Sequence, residues 1–205
     1  MQYVTLGKTG ITVNKNGFGA LPIQRISFDE AAAVLRRAYD GGVRYFDTAR
    51  FYTDSEAKIA YALGDVRSDI YIATKSMATA VADFKEQLET SLKELGTDYV
   101  DVMQFHNLPF CPVPGHESGL YEAMLEAKEK GKVRHIGITT HKIDLAREAI
   151  ESGLFETLQY PFSYLAAPEE VELVKMCRER NMGFICMKGM AGGLIRSGRA
   201  SYAYI

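Results

Sequence analysis

Short apolar, β-rich runs alternate with amphipathic helical runs along most of the chain, and this alternation constrains the fold more than any other feature. Helical runs such as 28–39 place apolar residues three or four positions apart, and Ser27 and Asp83 are predicted N-caps. Several β-rich runs are apolar almost throughout, which is typical of parallel strands buried on both faces. Repeated strand–helix units predict an α/β fold with a parallel sheet, in a single domain over residues 1–205. The predicted strands end near Asp47, Lys75, His106, Thr139, Gln159 and Met187.

Two arrangements of strand–helix units fit this pattern, an open doubly wound sheet and a (β/α)8 barrel. An open dinucleotide-binding sheet carries a glycine-rich first turn, but the nearest segment, 17–22, lacks the third glycine and contains Pro22, which disfavours a helix. A strand over 16–20 and a β-hairpin over 3–13 precede the first helix. We therefore predict a (β/α)8 TIM-type barrel with an N-terminal β-hairpin, incomplete in this chain at about seven βα units.

Composition excludes several classes of protein and partner. Lys and Arg number 24 against 26 Asp and Glu, so no broad cationic surface for nucleic acid is expected. No apolar run reaches the roughly 18 residues of a membrane span, and the first residues lack the pattern of a signal peptide. Cys111, Cys177 and Cys186 have no metal-ligand spacing, so neither a disulfide framework nor a metal site is expected. These features predict a cytoplasmic protein that binds neither nucleic acid nor membrane.

Four titratable residues lie at the ends of predicted strands or just beyond them. Asp47, Lys75 and His106 close apolar strands, and Tyr52 follows Asp47 by five residues. Because function collects at the carboxyl ends of barrel strands, we expect these four side chains, the strand-end cluster, to meet. A purely structural ion pair is the alternative for Asp47 and Lys75, and the presence of Tyr52 and His106 in register disfavours it.

The chemistry of the strand-end cluster suits the reduction of a carbonyl group. A tyrosine is a weak acid at neutral pH, and a nearby ammonium is expected to lower its pKa. We predict that Tyr52 is the general acid and that Lys75 tunes it. Asp47 is expected to keep Lys75 charged, and His106 to orient the carbonyl oxygen. An aldolase that forms a Schiff base at Lys75 is an alternative, although it would not require Asp47 and Tyr52.

Motifs across the chain resemble those of the aldo-keto reductase superfamily. They are GGVRYFDTARFY at 41–52, ATKS at 73–76, QFH at 104–106, HIGITT at 135–140, QYPF at 159–162 and MKGMAGG at 187–193. The segments LGKTG at 6–10 and YTDSE at 52–56 are most similar to bacterial and archaeal members. The resemblance implies an enzyme that reduces an aldehyde or ketone with NADP(H), or alternatively NAD(H). It also matches the strand-end cluster to the catalytic residues of the family.

The resemblance further implies a set of binding residues. Thr139, Thr140 and Gln159 match positions that hold the nicotinamide carboxamide, and Met187 matches a position where many members stack an aromatic ring. The whole cofactor-binding set that it implies is Gly19, Ala20, Thr139, Thr140, Gln159, Met187, Lys188, Gly189, Met190, Gly192 and Gly193. A small carbonyl substrate is expected at an apolar mouth formed by Leu21, Phe51 and Phe110.

The eighth strand of the family and the helix after it, which bind the adenosine end of the cofactor, are expected beyond Ile205. Two alternatives to an active reductase follow from this. One is a non-catalytic member that binds a nucleotide or another protein, and the other is a fragment that needs a partner to close the barrel. An incomplete barrel also predicts self-association through its open edge.

Overall fold

A β-hairpin precedes the barrel. The computed structural model describes residues 2–205. Strands β1 (Tyr3–Thr5) and β2 (Thr12–Asn14) pair antiparallel, with Val4 opposite Val13. Gly7 and Gly10 have positive φ angles of 50° and 74° in the connecting turn, which glycine adopts without steric strain. The hairpin predicted over 3–13 is therefore confirmed.

Seven parallel strands form a nearly closed barrel after the hairpin. The strands are β3 Phe18–Gly19, β4 Tyr45–Asp47, β5 Tyr71–Ser76, β6 Val100–His106, β7 Val133–Thr139, β8 Thr157–Pro161 and β9 Gly183–Met187. They pair in chain order, each parallel to the next. This confirms the predicted TIM-type α/β barrel with about seven βα units.

Helices cover the outside of the barrel. They are α1 Phe28–Asp40, α2 Ser55–Leu63, α3 Val81–Leu95, α4 Leu120–Glu129, α5 Ile143–Ser152, α6 Pro168–Glu179 and α7 Gly198–Tyr204. Ser27 caps α1 as predicted, since its hydroxyl accepts from the backbone N–H of Glu30 while the Glu30 carboxylate accepts from Ser27. The N-cap predicted at Asp83 is wrong, because α3 already begins at Val81. Within residues 2–205, no helix has both the length and the apolar character needed to cross a bilayer.

Two apolar cores lie in different parts of the barrel. The larger core lies between the sheet and the helices and contains Phe46, Phe84 and Phe105. The smaller core brings Ile11 and Val13 of the hairpin together with Tyr45, Ala73 and Val102 of the strands. The hairpin thus closes the amino end of the barrel interior with apolar side chains, which leaves the carboxyl end for polar residues.

Gly137 allows three strands to approach closely inside the barrel. It pairs with Gln104 of β6 and Thr157 of β8 in the sheet register. A Cβ atom at Gly137 would overlap Oγ1 of Thr157 and lie 3.0 Å from Cγ of Gln104. The barrel interior therefore has no room for a side chain at this position.

We expect Gly137→Ala to lower the free energy of unfolding by about 2 kcal/mol, because the added methyl group overpacks the interior. Urea unfolding of the two proteins measures this difference. Gly64→Ala is the matched control, since Gly64 has helical angles and a Cβ atom there would have no heavy atom within 4 Å. An equal effect of the two substitutions would contradict this account of Gly137.

Candidate active site

A buried ion pair joins the ends of two neighbouring strands. Lys75 of β5 is 2% exposed, and its Nζ donates to Oδ1 of Asp47 at 2.5 Å and to the backbone oxygen of Thr48 at 2.6 Å. Gln104 of β6 donates from Nε2 to the other carboxylate oxygen of Asp47 at 3.1 Å. Both oxygens of Asp47 therefore have partners, as a buried carboxylate requires.

Burial and nearby negative charges have opposite effects on the pKa of Lys75. Burial lowers the pKa of Lys75, whereas the carboxylates of Asp47 and Glu56 act to raise it. The expectation that Asp47 supports a charged Lys75 thus agrees with the contact between them. Desolvation favours the neutral amine, so the lysine depends on these negative charges to stay protonated.

Tyr52 and His106 lie against this ion pair. The Tyr52 and His106 rings meet edge to face, with their centroids 5.9 Å apart and their planes at 85°. Nζ of Lys75 lies 5.3 Å from the centroid of the Tyr52 ring. The structure therefore brings all four residues of the strand-end cluster together.

The pKa of Tyr52 differs from the sequence prediction. Burial and the negative charge of Asp47 raise the pKa of Tyr52 to about 12, whereas Lys75 was expected to lower it. The physical reason is that Lys75 directs hydrogen bonds to Asp47 and Thr48 and faces the ring of Tyr52. Tyr52 consequently keeps its proton at neutral pH, as a proton donor must.

The imidazole of His106 is neutral over the physiological pH range. Burial, with smaller effects from the charges of Lys75 and His141, lowers the pKa of His106 to about 4. Its Nδ1 atom is buried and has no hydrogen-bond partner among residues 2–205. A neutral imidazole has one N–H group, so His106 can donate a single hydrogen bond to a polar ligand.

Three residues of the implied cofactor set lie side by side next to the strand-end cluster. Thr139 pairs in register with His106 on one side and with Gln159 on the other. The backbone N–H of Thr140 donates to the backbone oxygen of Gln159 at 3.2 Å. Oε1 of Gln159 is buried and lacks a hydrogen-bond partner within the described chain. This acceptor fits an amide group of a ligand, such as a nicotinamide carboxamide.

The segment after β9 provides an open backbone surface. Met187 ends β9, and Lys188 follows with a positive φ angle of 58°. Gly192 and Gly193 have φ angles of 68° and 101°, and no heavy atom lies within 4 Å of a Cβ position at either residue. These glycines leave space for a ligand to approach the backbone.

Other members of the implied cofactor set are more enclosed. The oxygen of Gly189 accepts a hydrogen bond from the Ser201 hydroxyl of α7, which packs beside it. Met190 precedes the short helical turn at Ala191–Gly193.

The two implied cofactor residues at the end of β3 differ from each other. Gly19 is exposed. Ala20 is fully buried, its N–H donates to the backbone oxygen of Asp47 at 2.8 Å, and its oxygen accepts from Ser55. Ala20 therefore anchors the strand end and has no surface for a ligand, in contrast to the sequence expectation.

The three residues expected at the substrate mouth are exposed to different degrees. Leu21 and Phe51 are 47% and 71% exposed, and they follow the ends of β3 and β4. Phe110 follows β6 and stacks on His116 with ring centroids 4.3 Å apart. Leu21 begins a short 3-10 helix over Leu21–Arg25, and Phe51 and Phe110 lie in loops, so all three follow the carboxyl ends of barrel strands.

Sequence reasoning missed two buried polar residues beside the strand-end cluster. Gln104 holds Asp47, and the alternation of side chains along β6 could have indicated it, since it lies two residues before His106. Glu56 is 1% exposed and accepts from Oγ1 of Thr74 at 2.6 Å. Glu56 lies in the YTDSE motif at 52–56, but nothing in that motif distinguished its side chain from an ordinary acidic residue in the first turn of a helix.

We expect the NMR signals of the His106 ring to titrate with a midpoint near pH 4. Because this pKa lies below the value of 6.5 for an unperturbed histidine, the stability it provides is complete above pH 6.5 and falls as the pH drops towards 4. The loss of stability amounts to roughly 3 kcal/mol. The variant His106→Gln identifies the signal by its loss and should lack this pH dependence of stability. His116→Gln is the control and should retain both. A midpoint above pH 6 would contradict the prediction.

Known proteins resemble this chain in sequence and in fold. The profile of the Aldo/keto reductase family matches residues 15–203. The chain is 28% identical to an L-galactose dehydrogenase of Arabidopsis thaliana over 209 residues, covering 93% of this chain and 66% of that protein. It is 36% identical to the methylglyoxal reductase DkgB of Salmonella typhi over 148 residues, covering 68% of this chain and 52% of that protein.

A solved structure supports the same fold. An aldo-keto reductase from Klebsiella pneumoniae in complex with NADPH superposes with a TM-score of 0.80 at 22% identity, covering 97% of this chain and 72% of that chain. The chain thus spans about half to two thirds of the length of the two curated relatives. The family profile covers nearly the whole of the sequence. The chain therefore belongs to the aldo/keto reductase family.

Proposed function

We propose that the protein is an NADP(H)-dependent oxidoreductase that reduces an aldehyde or ketone to an alcohol. The observation that carries this proposal is the meeting of Asp47, Tyr52, Lys75 and His106 at the carboxyl ends of the barrel strands. Active sites of such barrels lie at this end. Membership of the family makes carbonyl reduction the expected chemistry of such a site.

The names of similar proteins support the cofactor and the substrate class. The Klebsiella pneumoniae structure holds NADPH, and the Salmonella typhi relative is a reductase of methylglyoxal, a small carbonyl compound. In this chain the side-chain oxygen of Gln159 and the two threonines beside it would bind the nicotinamide carboxamide. Met187 would contact the nicotinamide ring, and Gly192 and Gly193 would allow the pyrophosphate to approach.

The protein side of the reaction follows from the protonation states of the site. When bound, NADPH supplies a hydride to the carbonyl carbon. His106 is neutral and donates a hydrogen bond that orients the carbonyl oxygen. Tyr52 holds its proton, with a pKa of about 12, and donates it to the same oxygen as negative charge develops there.

Lys75 and Asp47 bring opposite charges to this proton transfer. The Lys75 ammonium, 5.3 Å from the centre of the Tyr52 ring, stabilises the phenolate that remains after the proton has left. Asp47 keeps that ammonium charged and fixed in position. The carboxylate of Asp47 itself opposes loss of the Tyr52 proton, and because the ion pair is buried, water screens neither charge.

The first test is a titration of the protein with NADPH, followed by nicotinamide fluorescence, and then turnover with methylglyoxal and other small aldehydes and ketones. Tyr52→Phe is expected to reduce kcat at least about 100-fold, because it removes the proton donor. The affinity for NADPH should change little, since the Tyr52 hydroxyl acts on the substrate oxygen.

Tyr61→Phe is the matched control, because Tyr61 lies on the exposed side of α2 and bonds to Asp29. It should retain full activity. Preserved turnover in Tyr52→Phe would refute the role of Tyr52. Tight NADPH binding without turnover of any carbonyl compound would instead favour a nucleotide-binding protein without catalytic activity.

A further inference from the structure

A second ion pair, whose carboxylate is buried and whose guanidinium is partly exposed, lies directly behind the strand-end cluster. Glu56, in the first turn of α2, is 1% exposed, and its carboxylate contacts the guanidinium of Arg50. The other carboxylate oxygen accepts from Oγ1 of Thr74, the residue before Lys75 on β5. The mechanism proposed above does not use this pair. Burying a carboxylate is unfavourable unless it is paired, so the pair needs an explanation.

Arg50 connects this pair to the loop that carries Tyr52. The backbone N–H of Arg50 donates to the backbone oxygen of Lys75 at 3.0 Å, and its guanidinium donates to the backbone oxygen of Thr53 at the same distance. Thr53 has a positive φ angle of 45°, which is unfavourable for a β-branched residue. Arg50 therefore secures the loop on both sides of Tyr52.

We propose that Arg50 and Glu56 form a positioning pair for the reaction, which fixes the Tyr52 loop against β5 and supplies a second negative charge to Lys75. The proposal rests on the function proposed above. Arg50 and Glu56 act through Tyr52 and Lys75 and need no contact with the substrate. Thr74 provides the direct link, because it joins the Glu56 carboxylate to the strand that holds the lysine.

The charge of Glu56 acts together with that of Asp47. Lys75 is faced by Asp47 from β4, by Glu56 from α2, by Tyr52 from the loop and by His106 from β6. Asp47 and Glu56 raise the pKa of Lys75 against the effect of burial. Arg50 partly offsets the charge of Glu56. Removing Glu56 and removing Arg50 should therefore change the charge state of Lys75 in opposite directions.

The test measures Lys75 directly by NMR in the full chain with ¹³C-labelled lysine, and Lys75→Arg identifies its signal. Glu56→Gln keeps the size of the side chain and removes the charge, so the titration midpoint of Lys75 should fall by about one pH unit. Glu56→Asp retains the charge and should leave the midpoint close to that of the original protein. Arg50→Met should raise the midpoint. Glu126→Gln, at an exposed helix position, is the control and should have no effect.

Kinetics provide the second measurement. We expect Glu56→Gln to reduce kcat for carbonyl reduction about tenfold, while the KM for NADPH changes less than about twofold. The fall of kcat at high pH should begin at a lower pH, because Lys75 loses its proton earlier. If Glu56 had only a structural role, its substitution would lower the free energy of unfolding and would not shift the pH at which kcat falls.

The two measurements separate failure of this inference from failure of the proposed function. If the original protein reduces no carbonyl compound, the proposed function fails, and the NMR titration still decides whether Glu56 and Arg50 control Lys75. If Glu56→Gln does not fold, Arg50→Met decides the question by the direction of its shift. An unchanged Lys75 midpoint in the folded variants, with kcat within twofold of the original, would overturn the inference.

Discussion

The contact between Asp47 and Lys75 sets the conditions for the rest of the site. A lysine that is 2% exposed loses its proton unless negative charge lies nearby, and Asp47 supplies that charge at 2.5 Å. The contact exists because β4 and β5 pair in a register that brings their carboxyl ends together. Gln104, in register with Lys75 on the next strand, completes the hydrogen bonding of the carboxylate. A charged Lys75 thus depends on correct strand pairing.

Burial shifts the pKa values of Tyr52 and His106, the two remaining residues of the strand-end cluster, in opposite directions. It raises the pKa of Tyr52 and lowers that of His106, so both side chains are uncharged at neutral pH. Each of them then offers one hydrogen to a polar atom of a ligand. A carbonyl oxygen accepts two hydrogen bonds through its two lone pairs, which suits a site with two neutral donors next to a buried cation.

The sequence predicts the fold and the position of the strand-end cluster well, because both depend on periodicity. Alternating strand and helix patterns define the barrel, and strand ends then bring Asp47, Lys75 and His106 to one edge. The pKa of Tyr52 was predicted in the wrong direction, because it depends on where the lysine hydrogens point and on how deeply the ring is buried. Ala20 was misassigned for a related reason, since burial of a single residue at a strand end has no sequence pattern. The catalytic roles remain predictions.

The barrel interior changes from apolar to polar along its axis, and this gradient explains why the chemistry is confined to one end. Hairpin residues Ile11 and Val13 fill the amino end with apolar atoms. Further along the strands the interior positions become Gln104, Thr157 and Gln159, each of which has a buried side-chain oxygen without a partner among residues 2–205. The charged pair of the cluster follows only at the carboxyl ends of β4 and β5. The apolar end supplies stability, and at the polar end the unpaired side-chain oxygen of Gln159 remains for a bound ligand.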